Sequence, residues 1–571
     1  MEPPIPLRGP LASRPSRRSP CSAGPTLALL VGCIPCVNSQ MKAASRTSGV
    51  AVPERARSER AAQQRSAWRK QCRGGAAVLW LALSRFATQT HAAQGDGTPQ
   101  VLEHHGNAAR AGSYVVPTLT WQAAPHLHAD PDFHADIAGP VYAQPLYWRT
   151  PGTDHGLVLV ATEQNLVYAL DSRTGALAWK TAVGSPVPRS SLPCGNIDPL
   201  GITGTPAIDE RTQALYLDAM VRDRASNEPK HLIFALSLKD GSVLPGWPVD
   251  VEAALKAGGH TFRSSVQSER GALTLAANTL YVAYGGHYGD CGDYHGRIVS
   301  ISLEAAHAVR SWSTRARGGG VWAPGGVSSD GAALYIATGN TMGATRWEDG
   351  EAIIRLGPDL GFSGQPRDYF APSDWPQLDA SDADLGGTNP LLISLPGAPE
   401  SQLVLALGKD GNAYLLDRGN LGGIGGALAR RKVSSTAIRT SPAYLSAGNE
   451  AVVAFQGSGV DCPRGTSGDL VALKIVSGSP PQLAVLWCAA ANGRGSPILT
   501  TTDGHANAIV WIIGAEDSNR LRGYRADTGA ELFAGGGPAE AMSEVRRFQT
   551  PIVIGHHMYV AADQRLYSFI F

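Results

Sequence analysis

A cluster of carboxylates in the middle of the chain is the clearest group of residues whose types and spacing could do chemistry. Asp374-Trp375 is followed closely by Asp379, Asp382 and Asp384. Carboxylate and amide oxygens are ligands that suit a hard cation, so this segment predicts a calcium site. The alternative is a solvated acidic loop that caps the start of a strand.

Cationic and aromatic residues on either side of this cluster in the chain could complete a ligand site. Lys409 precedes an Asp-Gly turn, and Arg439 precedes a Thr-Ser-Pro sequence. Several cations that converge on one site bind carboxylates well, although a lone Arg or Lys in a loop usually serves solubility. Trp322 offers a flat surface to a planar ligand, with core packing as the alternative. Further cations of this kind are Arg315, Arg317, Arg546 and Arg547.

These residues lie between copies of a repeat that must position them. The clearest copy reads Asn165-Leu-Val-Tyr168-Ala-Leu-Asp, followed by Thr174-Gly175 and Trp179. Eight copies recur at roughly 45 to 65 residues, a period that is typical of propeller blades with four strands each. The strands of the repeat are centred on Tyr168, Phe234, Val299, Ile354, Tyr414, Ala472, Gly523 and Tyr567.

A second series of strand starts alternates with the first. Proline is tolerated at the first residue of a strand, so an X-Pro pair before an apolar run indicates the innermost strand of a blade. The two series together predict an all-β fold, an eight-bladed β-propeller of four-stranded antiparallel blades. The second series begins at Gln144-Pro145, Thr205-Pro206, Val266-Gln267 (without Pro), Ala323-Pro324, Asn389-Pro390, Ser441-Pro442, Ser496-Pro497 and Thr550-Pro551.

The end of the chain predicts how the ring closes. The eighth unit stops at Phe571, in its third strand, without an acidic turn or a Trp strand after it. The segment from Phe133 to Ile137 precedes Gln144-Pro145 at the spacing expected of an outer strand. We therefore expect a closing blade shared by N-terminal and C-terminal strands, which leaves no open edge in the ring.

Propeller connectivity places two kinds of loop on one face: those that enter the inner strands and those that join second to third strands. Cys194 lies in a loop of the first kind, and Cys291 in a loop of the second kind on the neighbouring blade. Cys462 and Cys488 both lie on this face of the sixth unit. Four cysteines allow three pairings, and this placement favours Cys194 with Cys291 and Cys462 with Cys488.

The segment from Tyr168 to Trp179 resembles the repeat of pyrroloquinoline-quinone (PQQ) proteins. That superfamily includes quinoprotein alcohol dehydrogenases and the outer-membrane assembly propeller. Thr338-Gly339-Asn340 also resembles a turn of the dehydrogenases in which Asn helps to hold calcium against the quinone, although a Gly-Asn turn is common without that role. The resemblance implies calcium at Asn340, Asp379 and Asp382, PQQ at Trp322, Asn340, Lys409 and Arg439, and a base at Asp382 or Asp384.

Two functions remain open at this stage. The first is a PQQ- and calcium-dependent dehydrogenase of an alcohol or sugar, although the chain lacks adjacent cysteines and the haem motif Cys-x-x-Cys-His. The second is a non-catalytic scaffold that binds a protein of the cell envelope. Fold alone does not decide between them.

Composition predicts the compartment and narrows the partners. Residues 1–93 are rich in Arg, Ser, Ala and Pro and show no repeat, so we expect a disordered or processed extension with a signal-like segment at 69–93. Residues 94–571 form the predicted propeller, and their four cysteines favour a periplasmic or secreted protein. The formal net charge of +1 gives no reason to expect nucleic acid as a partner. The apolar runs are too short for a transmembrane segment.

Overall fold

The computed structural model describes residues 100–304, 307–396 and 402–571, and it confirms the eight-bladed propeller. Each blade is an antiparallel sheet whose four strands run from the channel outward, and we number the blades 1 to 8 in chain order. The signal-like segment 69–93 lies outside the described residues. In the part of the chain described, no helix is long and apolar enough to cross a membrane.

The strands match the two series read from the sequence. The inner strands are Leu146–Arg149, Ala207–Asp209, Gln267–Glu269, Ser328–Ser329, Leu391–Ser394, Ala443–Ala447, Ile498–Thr501 and Ile552–Ile554. The second strands are Gly156–Ala161, Ala214–Arg222, Thr279–Gly286, Leu334–Thr338, Gln402–Leu407, Glu450–Gln456, Ile509–Ile513 and His557–Ala562. The third strands are Leu166–Asp171, Pro229–Ser237, Arg297–Ser302, Ala352–Leu356, Asn412–Asp417, Leu470–Val476, Leu521–Arg525 and Arg565–Ile570.

The outer strands complete the blades. In order from blade 1 to blade 8 they are Leu177–Ala182, Val249–Asp250, Val309–Ser313, Tyr369–Ala371, Ala429–Lys432, Gln482–Ala489, Glu531–Phe533 and His128–Ala129. Three further strands join blades 7, 3 and 4, and they are Ser113–Val115, Thr274–Ala276 and Gly423–Ile424. Within the described residues there are two α-helices, Val251–Ala257 and Trp375–Ser381.

The Trp and Gly of the repeat meet across neighbouring blades. The indole Nε1 of Trp179 on blade 1 donates to the carbonyl of Leu238 on blade 2 at 3.0 Å. The ring covers Gly241, which has a φ of +71°, and a Cβ on that glycine would lie 2.4 Å from the indole. Trp487 makes the same contact from blade 6 to blade 7, at 2.8 Å from its Nε1 to the carbonyl oxygen of Ala526. The repeat is therefore a device for packing blades together.

Blade 8 closes the ring with strands from both ends of the chain, as predicted. Its regular outer strand is His128–Ala129, which pairs with the third strand at Ile570 and Phe569. The predicted segment 133–137 continues this edge with one bridge, Asp136 to Arg565. The closing strand therefore begins earlier than the sequence indicated.

The segment 101–116 fills one end of the central channel, which the sequence did not predict. Its backbone and side chains form hydrogen bonds with the channel-side strands of six blades. The partners are Tyr147, Ile208, Leu273, Thr274, Ser329, Tyr444 and Leu499. Its strand Ser113–Val115 lies parallel to the inner strand of blade 7. We call residues 101–116 the channel segment.

Arg110 anchors the channel segment with a fully buried guanidinium. Its Nη1 lies 3.0 Å from Glu103 Oε2 and donates to the carbonyl of His104 at 3.2 Å. Its Nη2 donates to the carbonyl of Leu273 at 2.9 Å and to the hydroxyl of Thr274. The segment thus brings its own ion pair into the channel, where both Nη atoms of the guanidinium find acceptors and the Nε does not, among the described residues.

Candidate functional site

A cavity of about 430 Å³ opens at the other end of the channel, among the loops that enter the inner strands and join second to third strands. We call this side the loop face. The side chains that line the cavity include seven that the sequence singled out. They are Trp322, Asn340, Asp382, Asp384, Lys409, Arg439 and Arg547.

Three of these side chains contact one another on the wall of the cavity. The Trp322 indole Nε1 donates to Asp384 Oδ2 at 2.8 Å, and the Lys409 Nζ lies 2.7 Å from Asp384 Oδ1. The same ammonium lies 2.7 Å from Asp382 Oδ1 and 5.2 Å from the centre of a Trp322 ring. We call Trp322, Asp384 and Lys409 the wall triad. It joins a flat aromatic surface, a buried carboxylate and a cation.

Two glycines let blades 4 and 5 approach closely enough to form the wall triad. A Cβ on Gly339 would lie 2.9 Å from Asp384 Oδ2 and 3.2 Å from the Trp322 Nε1. A Cβ on Gly386 would lie 2.7 Å from the backbone nitrogen of Gly339. Any side chain at either position would push the Asp384 carboxylate away from the indole.

The electrostatics of the site separate the two predicted bases. Burial raises the pKa of Asp384 to about 6, and its ion pair with Lys409 limits the rise. Asp382 is exposed, and the Lys409 ammonium outweighs its partial desolvation, so its pKa lies below its ordinary value. Burial would lower the pKa of Lys409, but the two carboxylates outweigh it and raise the pKa. Asp384 is therefore the carboxylate suited to proton transfer near neutral pH.

The predicted calcium ligands do not form one group. Asn340 lines the cavity and Asp382 pairs with Lys409. Asp379 lies on the helix Trp375–Ser381, where it accepts from the backbone nitrogen of Thr341 at 2.7 Å and from its hydroxyl. In the described part of the chain, no three His, Cys, Asp or Glu side chains are placed to hold a metal ion together. Calcium stays a prediction from the sequence.

A second buried carboxyl supports the wall triad from behind. Glu351 Oε2 accepts the backbone N–H of Leu385 at 2.8 Å, next to Asp384. Burial, followed by the charge of Asp384, raises the pKa of Glu351 to about 9, so this side chain is neutral at pH 7. Sequence reasoning missed it, because Glu351 follows an Asp-Gly turn that has no pattern of its own.

The loop between the second and third strands of blade 3 forms the opposite wall of the cavity. The structure pairs Cys291 in this loop with Cys194, with 6.1 Å between their Cα atoms. Tyr294, also in the lining, donates its hydroxyl to Asp290 at 2.6 Å. The second disulfide, Cys462 to Cys488, lies on blade 6. Both pairings are those that the loop placement favours.

Several lining residues were not singled out from the sequence. They are Arg270, directly after the blade 3 inner strand, and Asn196, Ser268, His287, Tyr288 and Phe548. Arg270 and Phe548 also line a small cavity of about 10 Å³, whose floor includes His104 of the channel segment. The main cavity therefore narrows toward the channel segment, which closes it below.

The other predicted cations lie outside this cavity or on its edge. Arg315 pairs with Asp349 at 2.6 Å, and Arg546 pairs with Asp563. Arg317 donates to the carbonyl of Gly292 in the blade 3 loop. These guanidiniums stabilise loops of the loop face and do not reach the cavity.

Comparison with protein families supports the resemblance read from the repeat. Residues 118–244 match the family model described as outer membrane protein assembly factor BamB. This match covers blade 1 and most of blade 2. A search of curated proteins finds no significant match.

Solved structures show the same fold at low sequence identity. A quinohemoprotein alcohol dehydrogenase from Pseudomonas putida HK5 matches with a TM-score of 0.57 and 15% identity, over 81% of this chain and 75% of that one. The quinohemoprotein alcohol dehydrogenase from Comamonas testosteroni gives 0.56 and 15%, over 83% and 80%. A europium-containing methanol dehydrogenase gives 0.53 and 14%, over 81% and 89%. At this identity the likeness establishes the propeller architecture alone.

Proposed function

We propose that this propeller is a PQQ-dependent dehydrogenase that oxidises an alcohol group of a small alcohol or sugar in the periplasm. The observation that carries the proposal is the wall triad, which places a flat indole, a buried carboxylate and an ammonium side by side on one cavity. The architecture shared with quinoprotein dehydrogenases favours the same chemistry. Two disulfides favour an oxidising compartment.

The side chains of the cavity fit PQQ, which is planar and carries three carboxylates. Trp322 would support the ring from one side, and the cations of the lining would bind the carboxylates. Asn340 and Asp384 are oxygen donors of the lining that would hold a calcium ion bound with the cofactor, and that ion would need its other ligands from PQQ and water. When bound, PQQ would supply the acceptor for the hydride that leaves the alcohol carbon.

The residues of the wall triad would divide the proton transfer between them. Asp384 is ionised at pH 7, and its carboxylate accepts the proton of the alcohol hydroxyl as the carbon is oxidised. Lys409 lies 2.7 Å from Asp384 Oδ1 and keeps the carboxylate ionised before the reaction. The Trp322 indole fixes the other oxygen of Asp384. The closed end of the channel keeps bulk water from entering from below.

Reconstitution of the full chain with PQQ and calcium tests the proposal. We expect PQQ to raise the unfolding temperature and to support dye reduction with alcohols or sugars. Asp384→Asn should lower the rate by about 10²- to 10⁴-fold while PQQ still binds. Asp374→Asn is the matched control, because Asp374 pairs with Arg430 outside the cavity. A control that loses as much activity would contradict the role of Asp384.

The pH profile gives a second readout of the same role. Asp384 accepts a proton only when ionised, so the rate should fall about tenfold for each pH unit below about 6. A rate that does not change between pH 7 and pH 5 would exclude Asp384 as the base.

A binding propeller is the second candidate, and the match of residues 118–244 to the assembly-factor model favours it. This function needs no PQQ. An unfolding temperature that saturating PQQ leaves unchanged would reject the dehydrogenase and leave the binding function.

A further inference from the structure

Four cationic side chains line the cavity, and they differ in whether the protein already neutralises them. Lys409 lies 2.7 Å from both Asp382 and Asp384. Arg547 lies 2.8 Å from Glu516 and donates a second bond to it at 2.9 Å. These two cations therefore have little charge left to offer a ligand.

Arg270 and Arg439 differ from this pair. Among the described residues, neither guanidinium lies within ion-pair distance of a carboxylate. The Nη2 of Arg270 donates a long hydrogen bond, 3.3 Å, to Asn196 Oδ1. Arg439 is exposed to the cavity beside Asp382. A guanidinium in a concave site without a carboxylate partner is a ready binding group for an anion.

The carboxyls nearest to Arg270 are directed to other partners. Glu163 accepts from the backbone nitrogen of Gly201 at 2.7 Å and from the Thr203 hydroxyl at 2.9 Å. Glu269 accepts from the backbone nitrogen of Gly204 at 2.9 Å. Burial raises the pKa of Glu163 to about 7, so it carries only part of a charge at neutral pH. Arg270 thus has no carboxylate within ion-pair distance at a place where burial lowers its pKa, which is costly unless a ligand compensates the charge.

The two guanidiniums face the cavity from different sides of the channel. Arg270 directly follows the inner strand of blade 3, and Arg439 precedes the inner strand of blade 6. Blades 4 and 5, which carry the wall triad, stand between them on one side of the ring. Both guanidiniums line the cavity that Trp322 lines, so a ligand on Trp322 would have Arg270 on the blade 3 side and Arg439 on the blade 6 side.

We infer that Arg270 and Arg439 form a carboxylate clamp, which selects a flat ligand with carboxylates on opposite edges. The inference rests on the proposed function, since it names the groups that hold the cofactor at that site. It also assigns Lys409 a different role from the one that the sequence implied: Lys409 serves Asp384, and Arg270 replaces it as a carboxylate anchor.

Titration of the full chain with PQQ tests the clamp. Arg270→Gln and Arg439→Gln should each weaken PQQ binding about 10- to 100-fold, the effect of one lost hydrogen bond between charged groups. Arg270→Lys should restore part of the affinity. Arg494→Gln is the matched control for lost charge, because Arg494 is exposed and lies outside the lining. The trimethyl ester of PQQ should bind weakly and equally to all variants.

The outcomes separate the clamp from the proposed function. If both Gln variants bind PQQ as tightly as the wild-type protein does, the clamp is overturned and the proposed function is not. If wild-type protein does not bind PQQ, the proposed function fails, and naphthalene-2,6-dicarboxylate then tests the clamp without a quinone. We expect this dicarboxylate to bind wild-type protein more tightly than the variants. Failure of the wild type to bind either compound would overturn the clamp as well.

Discussion

Both ends of the central channel contain buried charged side chains, but the two ends differ in how the protein compensates those charges. At the closed end, the Arg110 guanidinium contacts Glu103 and three further acceptors, all from the protein. At the cavity end, Arg270 and Arg439 have no carboxylate within ion-pair distance among the described residues. Burying a charged group is unfavourable unless hydrogen bonds and an opposite charge compensate it. The closed end therefore supplies a carboxylate partner to its guanidinium, whereas the cavity end leaves that role to a ligand.

This difference also explains why the closed end is closed. The channel segment enters with a polar backbone and a charged side chain, and six blades supply its partners. These bonds satisfy both Nη atoms of the Arg110 guanidinium, while its Nε is buried without a hydrogen-bond partner among the described residues. The loop face differs from the closed end, because disulfide-linked loops surround an open cavity there. Such loops on a rigid scaffold are where ligand sites usually lie.

The largest expected effect is the loss of the Arg110 guanidinium. Arg110→Met leaves Glu103 buried without its partner and should lower the free energy of unfolding by about 3 to 5 kcal/mol. Arg270→Met should change it by no more than about 1 kcal/mol, because it removes a charge that no carboxylate compensates. Urea unfolding at pH 7 measures both. Equal losses in the two variants would contradict the contrast between the ends.

The sequence predicted the blades because each blade repeats its own local chemistry. Trp179 and Gly241 show why: the outer strand of one blade packs on the turn of the next, so each copy needs both residue types. The channel segment has no such repeat, since its bonds go to strands of six different blades. No local sequence pattern predicts contacts between one segment and several blades. The closing strand, His128–Ala129, lies earlier in the chain than predicted because a two-residue strand has too little sequence pattern to fix its register.

The candidate site was predictable in part, for a related reason. Trp322, Asp384, Lys409 and Arg439 all belong to loops that propeller connectivity places on one face, and the structure brings them to one cavity. Arg270 was missed because it follows the inner strand that lacks the X-Pro start, which left its place in the blade undefined. Propeller connectivity does not predict the distances between side chains within one loop. Asp379 illustrates this, since the helix that carries it turns its carboxylate to Thr341.

The two disulfides sharpen the comparison at the loop face. Cys194 and Cys291 are 97 residues apart, and Cys462 and Cys488 are 26 apart. Replacing either pair by Ser should destabilise the protein by about 2 to 4 kcal/mol, with about 1 kcal/mol more for the longer loop. Thermal unfolding of the two double variants checks this order.

PQQ affinity distinguishes the two disulfides further. Cys194–Cys291 joins loops whose neighbouring residues line the cavity, so its loss should also weaken PQQ binding. The Cys462–Cys488 variant is the control, because neither of its cysteines is next to a lining residue. Equal affinities in both variants would show that the first disulfide supports folding but does not shape the cavity.

The smallest expected effect is a difference in how the two ends respond to acid. His104 and His105 stack at 4.4 Å in the channel segment, and burial lowers both pKa values, that of His105 to about 3. The unfolded chain binds protons at these residues below pH 6.5 and the folded chain does not, so stability falls as the pH drops. We expect a loss of about 1 kcal/mol in the free energy of unfolding for each histidine between pH 7 and pH 5.5.

Asp384 changes the stability in the opposite direction, because its raised pKa makes the folded state bind a proton more readily as the pH falls through about 6. Urea unfolding across this pH range should therefore show a shallower loss of stability in the double variant His104→Gln, His105→Gln. It should show a steeper loss in Asp384→Asn. If both variants lose stability with the same slope as the wild type, the two ends do not titrate in opposite directions.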